Sequence, residues 1–461
     1  MRKRRVISML AAVSVAAYTL LGCSGGGGQA ADSQASGTQA QTEAGSEESG
    51  SQAPASSGKT VLRMSVNMTH TGKEIMTEVM EDILKDYPNV ELQIEETAQD
   101  SYVSKMAMDV STDNVADLIQ YWRPDSTTHG CPKYIENGSF ADISELLESD
   151  TFKDMFTDDA VANCTVDGKL YAIPAEFSFI MFLANKEILD DCGLKVPETW
   201  DELLASMDVL KEHGYIPWGV STKAYASAWE RPLGYVFTRH CTFFGENGVL
   251  NLFGGKSHFT DENAMKACED LARLVGGNCA VDSMTLDDSQ ATAKYMNTGQ
   301  ACYFINGSYG LPHLSDEVKE KLVAIRFPEI PGAAGDTGKI QDKSLTAVYY
   351  ASAKAWEDPL KKEIITKFFE KVSGPDIAAR KFLETGSLTP VRDMELSEDN
   401  ADRVFLESKA LADDSEQILW FLSTGDPNKR DSFYSFYTEL WLGDITGEEF
   451  ARRCEELFCE Q

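Results

Sequence analysis

Six histidines are the first residues to weigh for chemistry: His70, His129, His213, His240, His258 and His313. None opens an H-E-x-x-H motif and no two stand four apart on a helix, so a metalloprotease-type site is not indicated. Gly255-Lys256-Ser257 has the ending of a phosphate-binding loop, but Leu250 takes the place of that loop's first glycine. Asn306-Gly307-Ser308-Tyr309-Gly310 departs from the G-x-S-x-G nucleophile elbow at Asn306. The chain carries 74 acidic residues. Paired carboxylates for glycoside hydrolysis therefore arise from composition alone and single out no pair. The expectation is a protein that is not an enzyme and uses no cofactor or metal. The residue whose surroundings do specify a reaction is Cys23. Its sulfur stands at a small-residue cleavage point, Leu20-Leu21-Gly22-Cys23, at the end of an apolar run.

The run itself, Val6 to Leu21, is about 16 residues long and follows Arg2, Lys3, Arg4 and Arg5. It is short for a membrane-spanning helix, which needs roughly 20 residues, and suits the apolar core of a signal peptide. Leu20 to Cys23 resembles the bacterial lipobox, in which the peptide is cut before the cysteine and the thiol receives a diacylglycerol. The plain alternative is an ordinary signal peptide with an incidental cysteine. Ser24 to Gly58 holds only small and polar residues, with no aromatic and no Leu, Ile or Val. Such a stretch cannot bury enough surface to offset chain entropy. A tether of this kind spans about 30–35 Å, from roughly 5–6 Å times the square root of its length.

Behind the tether lie about 400 residues, more than one ordinary core and suggestive of two domains. Net charge is −32. The basic leader and the tether's Asp32, Glu43, Glu47 and Glu48 cancel, so the body carries the whole excess. That surface repels nucleic acid and anionic headgroups. It would favour a cationic ligand, though acidity is commonly a solvated surface. Nine cysteines follow Cys23, an odd set for an exported chain, and none has C-x-x-C spacing.

The elements that must position any site can be read from periodicity. Val61 to Met68 and Val90 to Glu96 alternate as strands. Between them Ile75, Val79, Ile83 and Leu84 line one helix face, ended by Pro88-Asn89. A second helix over SYVSKMAMDVST and a third strand, Ala116 to Trp122, complete a βαβαβ unit with a parallel sheet. Ligands gather at the carboxyl ends of such strands, which puts Asn67 to His70 and Trp122 to Asp125 near a site. Asp167-Gly168 reads as a turn, FSFIMFLAN as a buried strand, and Thr199 with Glu202 as a capping box. Thr260 is expected to cap the next helix, which Gly276-Gly277 stops. Gln300 to Gly310 reads as a strand ending in a glycine-rich turn, SLTAVYYASA as a strand, and PLKKEIITKFFEKVSG as an amphipathic helix. The last third is mostly helical.

On these residues the body resembles the family 1 extracellular solute-binding proteins of bacterial ABC importers. The most specific stretch runs from Gly168, Tyr171 and Ile173-Pro174 through Asn185-Lys186 to Gly193, Pro197, Thr199-Trp200 and Glu202. QATAKYMNTGQACYFINGSYG and GDITGEEFARRCEE match two further family segments in order. Two positions depart. No tyrosine precedes Asn185-Lys186, and Tyr309 stands where the family commonly has tryptophan, which bears on ligand choice.

The resemblance implies an α/β, two-lobed periplasmic-binding-protein-like fold of type II, each lobe a mainly parallel sheet flanked by helices. It implies a leader at 1–22, an acylated cysteine and tether at 23–58, a first lobe at 59–175 plus 330–372, and a second at 176–329 plus 373–461. The ligand would lie between the lobes, which close on it and dock on the transmembrane subunits of a permease. The cytoplasmic ATPase would be engaged only indirectly. The protein would be a monomer held to the outer face of the cell membrane by its lipid, on a Gram-positive surface, with no nucleic-acid partner.

A sugar ligand calls for flat aromatic faces and for side chains that bond hydroxyls in fixed directions. By resemblance these are Trp122, Arg123 and Asp125 after the third strand, Glu176 after Ile173-Pro174, and Trp229 with Glu230 in AYASAWERP. Asn306, Ser308 and Tyr309 of the glycine-rich turn and the late aromatic Tyr434 complete the set. Trp229→Ala is then expected to weaken binding at least about tenfold without changing the fold. Each aromatic also has a core reading, strongest for Tyr434, whose neighbours Phe433, Phe436, Tyr437 and Leu440 form a packed stripe. Trp200 and Trp218 read as structural. A polyamine or other small solute, or a sensing or adhesion role without transport, stays open beside the oligosaccharide.

Overall fold

The computed structural model describes residues 59–67, 72–126, 129–224, 226, 228–243, 245–246, 248–392, 394, 396–397, 399–418 and 429–459. For Gln99 and Asp100 it describes the backbone alone. All belong to the compact unit Gly58–Gln461. The leader, Cys23 and the tether lie outside the described residues, as does His70.

Eleven strands follow one another among the described residues: β1 Thr60–Asn67, β2 Val90–Thr97, β3 Leu118–Tyr121, β4 Thr165–Val166, β5 Lys169–Leu170, β6 Ile173–Asn185, β7 Ile216–Trp218, β8 Ala301–Gly307, β9 Leu322–Ala324, β10 Ile340–Ala351 and β11 Glu416–Ile418. The predicted βαβαβ start is present. β1 pairs in parallel with both β2 and β3. The helices Lys73–Leu84 and Gln99–Ser111 make the crossovers. Ile75, Met76, Val79, Met80 and Ile83 face inward from the first helix, as its period requires. The Asp167-Gly168 turn joins β4 to β5 with both residues at positive φ, 50° and 78°. That is the conformation Asp-Gly favours in two-residue hairpins.

Nine strands form one sheet in the order β2-β1-β3-β10-β6-β8-β7, with β11 on β10 and β9 on β6. The two long strands thread it. Ile173 to Phe179 of β6 pairs antiparallel with Tyr349 to Lys343 of β10. Ile180 to Ala184 then pairs with β8, and Leu183 to Asn185 with β9. Register shifts at Leu345, Ala347 and Val348 interrupt the β6–β10 ladder. Bulges of this kind bend a strand and increase its twist.

The sheet serves separate cores. Leu62, Met64 and Val66 of β1, Leu118 and Ile119 of β3, Val348 to Ala351 of β10, and Phe368 and Phe369 form the first. Ile180, Phe182 and Ala184 of β6, with Trp218, Tyr303, Ile305 and the aromatic residues of the helix Arg430–Leu442, form the second. Phe179, Met181 and Leu183, the alternate residues of β6, enter a smaller third core with Phe304, Phe382 and Phe405. Both faces of β6 are covered, which is why FSFIMFLAN reads as a nearly unbroken apolar run. Trp200 and Trp218 are fully packed in the second core.

Ile330 and Ile340 pack in the second core, and Leu345 is the first β10 residue in the first core. Ala378 and Val391 pack in the first core. One expectation, the Thr260 cap, shifts. Asp261, not Thr260, is the N-cap of the helix Glu262–Val275. Met265 N–H donates to the Asp261 carbonyl at 2.9 Å, so the first helical hydrogen bond begins there. The capping box at Thr199 and Glu202 forms as read. Among the described residues no helix is long and apolar enough to cross a membrane.

Candidate functional site

β3 delivers Trp122 and Arg123 at its carboxyl end. Trp122 is half-buried and stacks on His129, with ring centroids 3.8 Å apart and planes 8° from parallel. Its carbonyl accepts from Tyr350 O–H at 2.8 Å, which ties the end of β3 to β10. Arg123 is buried. Its Nε and Nη2 donate to the two carboxylate oxygens of Asp125 at 2.9 and 3.1 Å. Nη1 is also buried and has no acceptor among the described residues. Asp125 itself is 58% exposed.

The second core contributes Arg231, the first residue of the helix Arg231–Cys241. Its Nη1 donates to Asp342 Oδ2 on β10 at 2.8 Å. Its Nη2 donates to Tyr309 Oη at 3.4 Å. Burial alone would lower this guanidinium, but Asp342, Tyr309 and Glu230 hold it above its usual range. Burial pushes the Asp342 carboxyl up, and the charges of Arg231 and Arg123 both act against that push. Arg123 beyond β3 and Arg231 of the second core therefore bear on one buried carboxylate, carried by a strand that runs through both cores.

Tyr309 reaches this network because of the glycines around it. A Cβ on Gly307 would collide with the Tyr309 ring, and one on Gly310 would come within 2.8 Å of the Asn306 side chain. β8 ends at Gly307, and a 3-10 turn, Ser308–His313, folds the ring back over it. Asn306 Oδ1 accepts from Gly307 N–H at 2.8 Å and braces the turn. Asn306 and Ser308 are both fully buried beneath it.

Glu176 lies on β6 and pairs with Lys381 at 3.2 Å, both side chains almost wholly buried. Lys381 Nζ also donates to the Ala175 carbonyl at 2.7 Å and sits 5.7 Å from the Tyr349 ring centroid. Burial holds this ammonium below its usual pKa, with Glu176 opposing. Trp229 has no exposed surface. It stacks on Tyr437 at 4.6 Å, with Tyr434 tilted against it at 5.7 Å. Truncating Trp229 removes a ring from the second core, so the expectation of an unchanged fold in Trp229→Ala does not stand.

Trp122 and Arg123 thus stand on the first-core side. Glu230, Arg231 and Tyr309 stand on the second, with Asp342 between. Trp229 packs with Tyr437 and Tyr434, and Glu176 pairs with Lys381. Arg231, Asp342 and Lys381 were not singled out by sequence, and His129 was weighed there only for metal chemistry. Arg231 follows Glu230 directly in AWERP, which is the nearest signal to it. Asp342 lies 111 positions from Arg231, and no spacing rule connects them. The arrangement holds fixed donors and a half-buried aromatic face, which suits reversible binding of a polar solute.

A model of the family described as bacterial extracellular solute-binding protein matches residues 67–379. An arabinooligosaccharide-binding protein of Halalkalibacterium halodurans is 34% identical over 89 residues, which span 19% of this chain and 19% of that protein. A chitin oligosaccharide binding protein superposes with a TM-score of 0.72 at 18% identity, over 86% of this chain and 98% of that one. A probable secreted solute-binding lipoprotein from Streptomyces coelicolor gives 0.69 at 18% identity, over 86% and 98%. At these identities the structural likeness establishes the fold alone: the two-lobed α/β periplasmic-binding-protein type II fold.

Proposed function

Because the chain belongs to the bacterial extracellular solute-binding protein family, a family of receptors and not of enzymes, we propose that it is a carbohydrate receptor of an ABC importer. The cargo is an oligosaccharide, taken up between the lobes and handed to the permease. The chain is tethered outside the cell membrane through an acylated Cys23. The observation that carries this reading is the buried Arg231–Asp342 pair on a strand shared by both cores, with Tyr309 bonded to the same guanidinium. A ligand that engages both sides is bound best when the lobes are closed, and its differential affinity sets the closed population. The free Nη1 donor of Arg123 suits a hydroxyl, and the half-buried Trp122 offers a flat face to a sugar ring. Binders of arabinooligosaccharides and chitin oligosaccharides among the similar proteins support the class of cargo.

The test is calorimetric titration with arabino-, xylo-, malto- and chito-oligosaccharides, with polyamines as the cationic comparison. A ligand at about 100 times its Kd adds about 2.7 kcal/mol of stability, seen as a raised Tm. Trp122→Ala is expected to weaken sugar binding at least about tenfold, roughly 1.4 kcal/mol, with an unchanged circular dichroism spectrum. Equal affinity in that variant removes Trp122 from the site. Binding of polyamines alone overturns the carbohydrate assignment. For the anchor, Cys23→Ser is expected to abolish incorporation of labelled fatty acid and to release the protein from membranes; continued labelling rejects Cys23.

A further inference from the structure

The helix Gly447–Phe458 ends beside the loop that carries Ser257, His258 and Phe259, and three different donor types meet there. His258 Nδ1 lies 2.7 Å from Glu455 Oε1. One donor atom from each of His258, Glu455 and Cys459 lies within 4.8 Å of the other two. Both residues of the helix end are oriented by the facing backbone. Glu455 Oε2 accepts from Phe259 N–H at 2.7 Å, and Cys459 S–H donates to the Ser257 carbonyl at 3.1 Å. The contact to Glu455 is of the kind that fixes ligand direction in metal sites; Cys459 gives up its proton to solvent when its thiolate binds a metal, so its bond to Ser257 belongs to the metal-free form. The support beneath is stiff: Phe253, Phe259 and Phe458 pack on one another with centroids 5.1, 5.3 and 5.9 Å apart. His258 is exposed and, with Asp261 and Glu262, lines a cavity of about 430 Å³. A hydrated cation therefore has an open approach and negative charge along it.

We propose that His258, Glu455 and Cys459 bind Zn²⁺, with water as the fourth ligand, at a site made of residues outside the sugar-binding set. An imidazole nitrogen, a thiolate sulfur and a carboxylate oxygen in a four-coordinate arrangement suit Zn²⁺ and do not suit Mg²⁺ or Ca²⁺, which take oxygen ligands. The bound ion pins the end of the last helix to a loop nearly 200 positions earlier, His258 and Glu455 being 197 apart. That separation is why the sequence shows no zinc motif. Only Glu455 and Cys459, one helical turn apart, are neighbours in both sequence and space.

The full chain, in mild detergent with a phosphine reductant and stripped with chelator, is titrated with Co²⁺ and then Zn²⁺. One equivalent of Co²⁺ is expected to give a thiolate-to-cobalt charge-transfer band that Zn²⁺ abolishes. Cys459→Ser is expected to remove that band. His258→Ala and Glu455→Gln are each expected to weaken Zn²⁺ at least about tenfold in competition with a chromophoric chelator. A band that survives Cys459→Ser, or Zn²⁺ affinity equal in wild type and in the His258→Ala/Cys459→Ser double variant, overturns the site. Should a variant fail to fold, iodoacetamide labelling of wild-type Cys459 read by mass spectrometry decides. Protection by one equivalent of Zn²⁺ supports the site, and equal labelling rejects it.

Discussion

Arg231→Met will lower the free energy of unfolding by about 3–5 kcal/mol, and adding Asp342→Leu will recover most of that loss. The two side chains are 6% and 10% exposed and meet at 2.8 Å. Removing the guanidinium alone leaves a carboxylate in a place that water does not reach, and that uncompensated charge carries the cost. Removing both charges together replaces a desolvated pair with apolar volume, which is commonly neutral or stabilising. Asp342 N–H donates to Tyr235 Oη at 3.2 Å through the backbone, so the strand keeps that anchor in the double variant. Urea unfolding of the two single variants and the double variant checks the cycle. A loss under about 1 kcal/mol in Arg231→Met would mean that solvent reaches Asp342. Sugar binding should fail in the double variant even where stability returns, which separates the pair's part in the site from its part in the fold.

Acid will destabilise the protein through His129. The ring is 6% exposed, lies flat on Trp122, and its Nδ1 is 2.6 Å from Ser126 Oγ. Burial pushes its pKa down to about 3, and the charge of Arg430 pushes in the same direction. An unfolded histidine titrates near 6.5. Between those two values the unfolded chain binds a proton that the native protein refuses. Stability is therefore complete above about pH 6.5 and falls as the pH drops toward 3. At about 1.36 kcal/mol per unit, the whole span is worth at most about 5 kcal/mol. His129→Phe keeps a ring against Trp122 and removes the titration. Carboxylates elsewhere contribute to both proteins alike, so the difference between the two curves isolates the histidine. Parallel curves from about pH 6.5 down to pH 4 would show that His129 is not held neutral by burial.

The parts of this molecule that repeat were legible in its sequence. The βαβαβ start follows from alternation in Val61 to Met68 and Val90 to Glu96 and from the 3.6-residue stripe between them, all local patterns. The Thr199 cap and the Asp167-Gly168 turn are local too. The site was legible only in part, because its contacts are made across long separations. Trp122, Arg123 and Tyr309 could be placed by the ends of their strands. Arg231 and Lys381 are cations in wholly buried positions, and nothing in their neighbours' identities marks them as internal. Their partners, Asp342 and Glu176, come from the two long strands that run between cores. Trp229 shows the opposite limit: an aromatic near a cleft and an aromatic in a core have the same composition, and only packing against Tyr437 tells them apart.

The placement of β10 also has a consequence in time. It sits between β3 and β6 in the sheet, although both precede it in the chain by well over a hundred residues. Until the ribosome has delivered Ile340 to Ala351, β3 and β6 present unpaired edges to each other across a missing strand. The first core likewise lacks Leu345 to Val372. The earliest segment made is therefore among the last to close. During that interval the nascent chain exposes strand edges of the kind that recruit chaperones and promote aggregation.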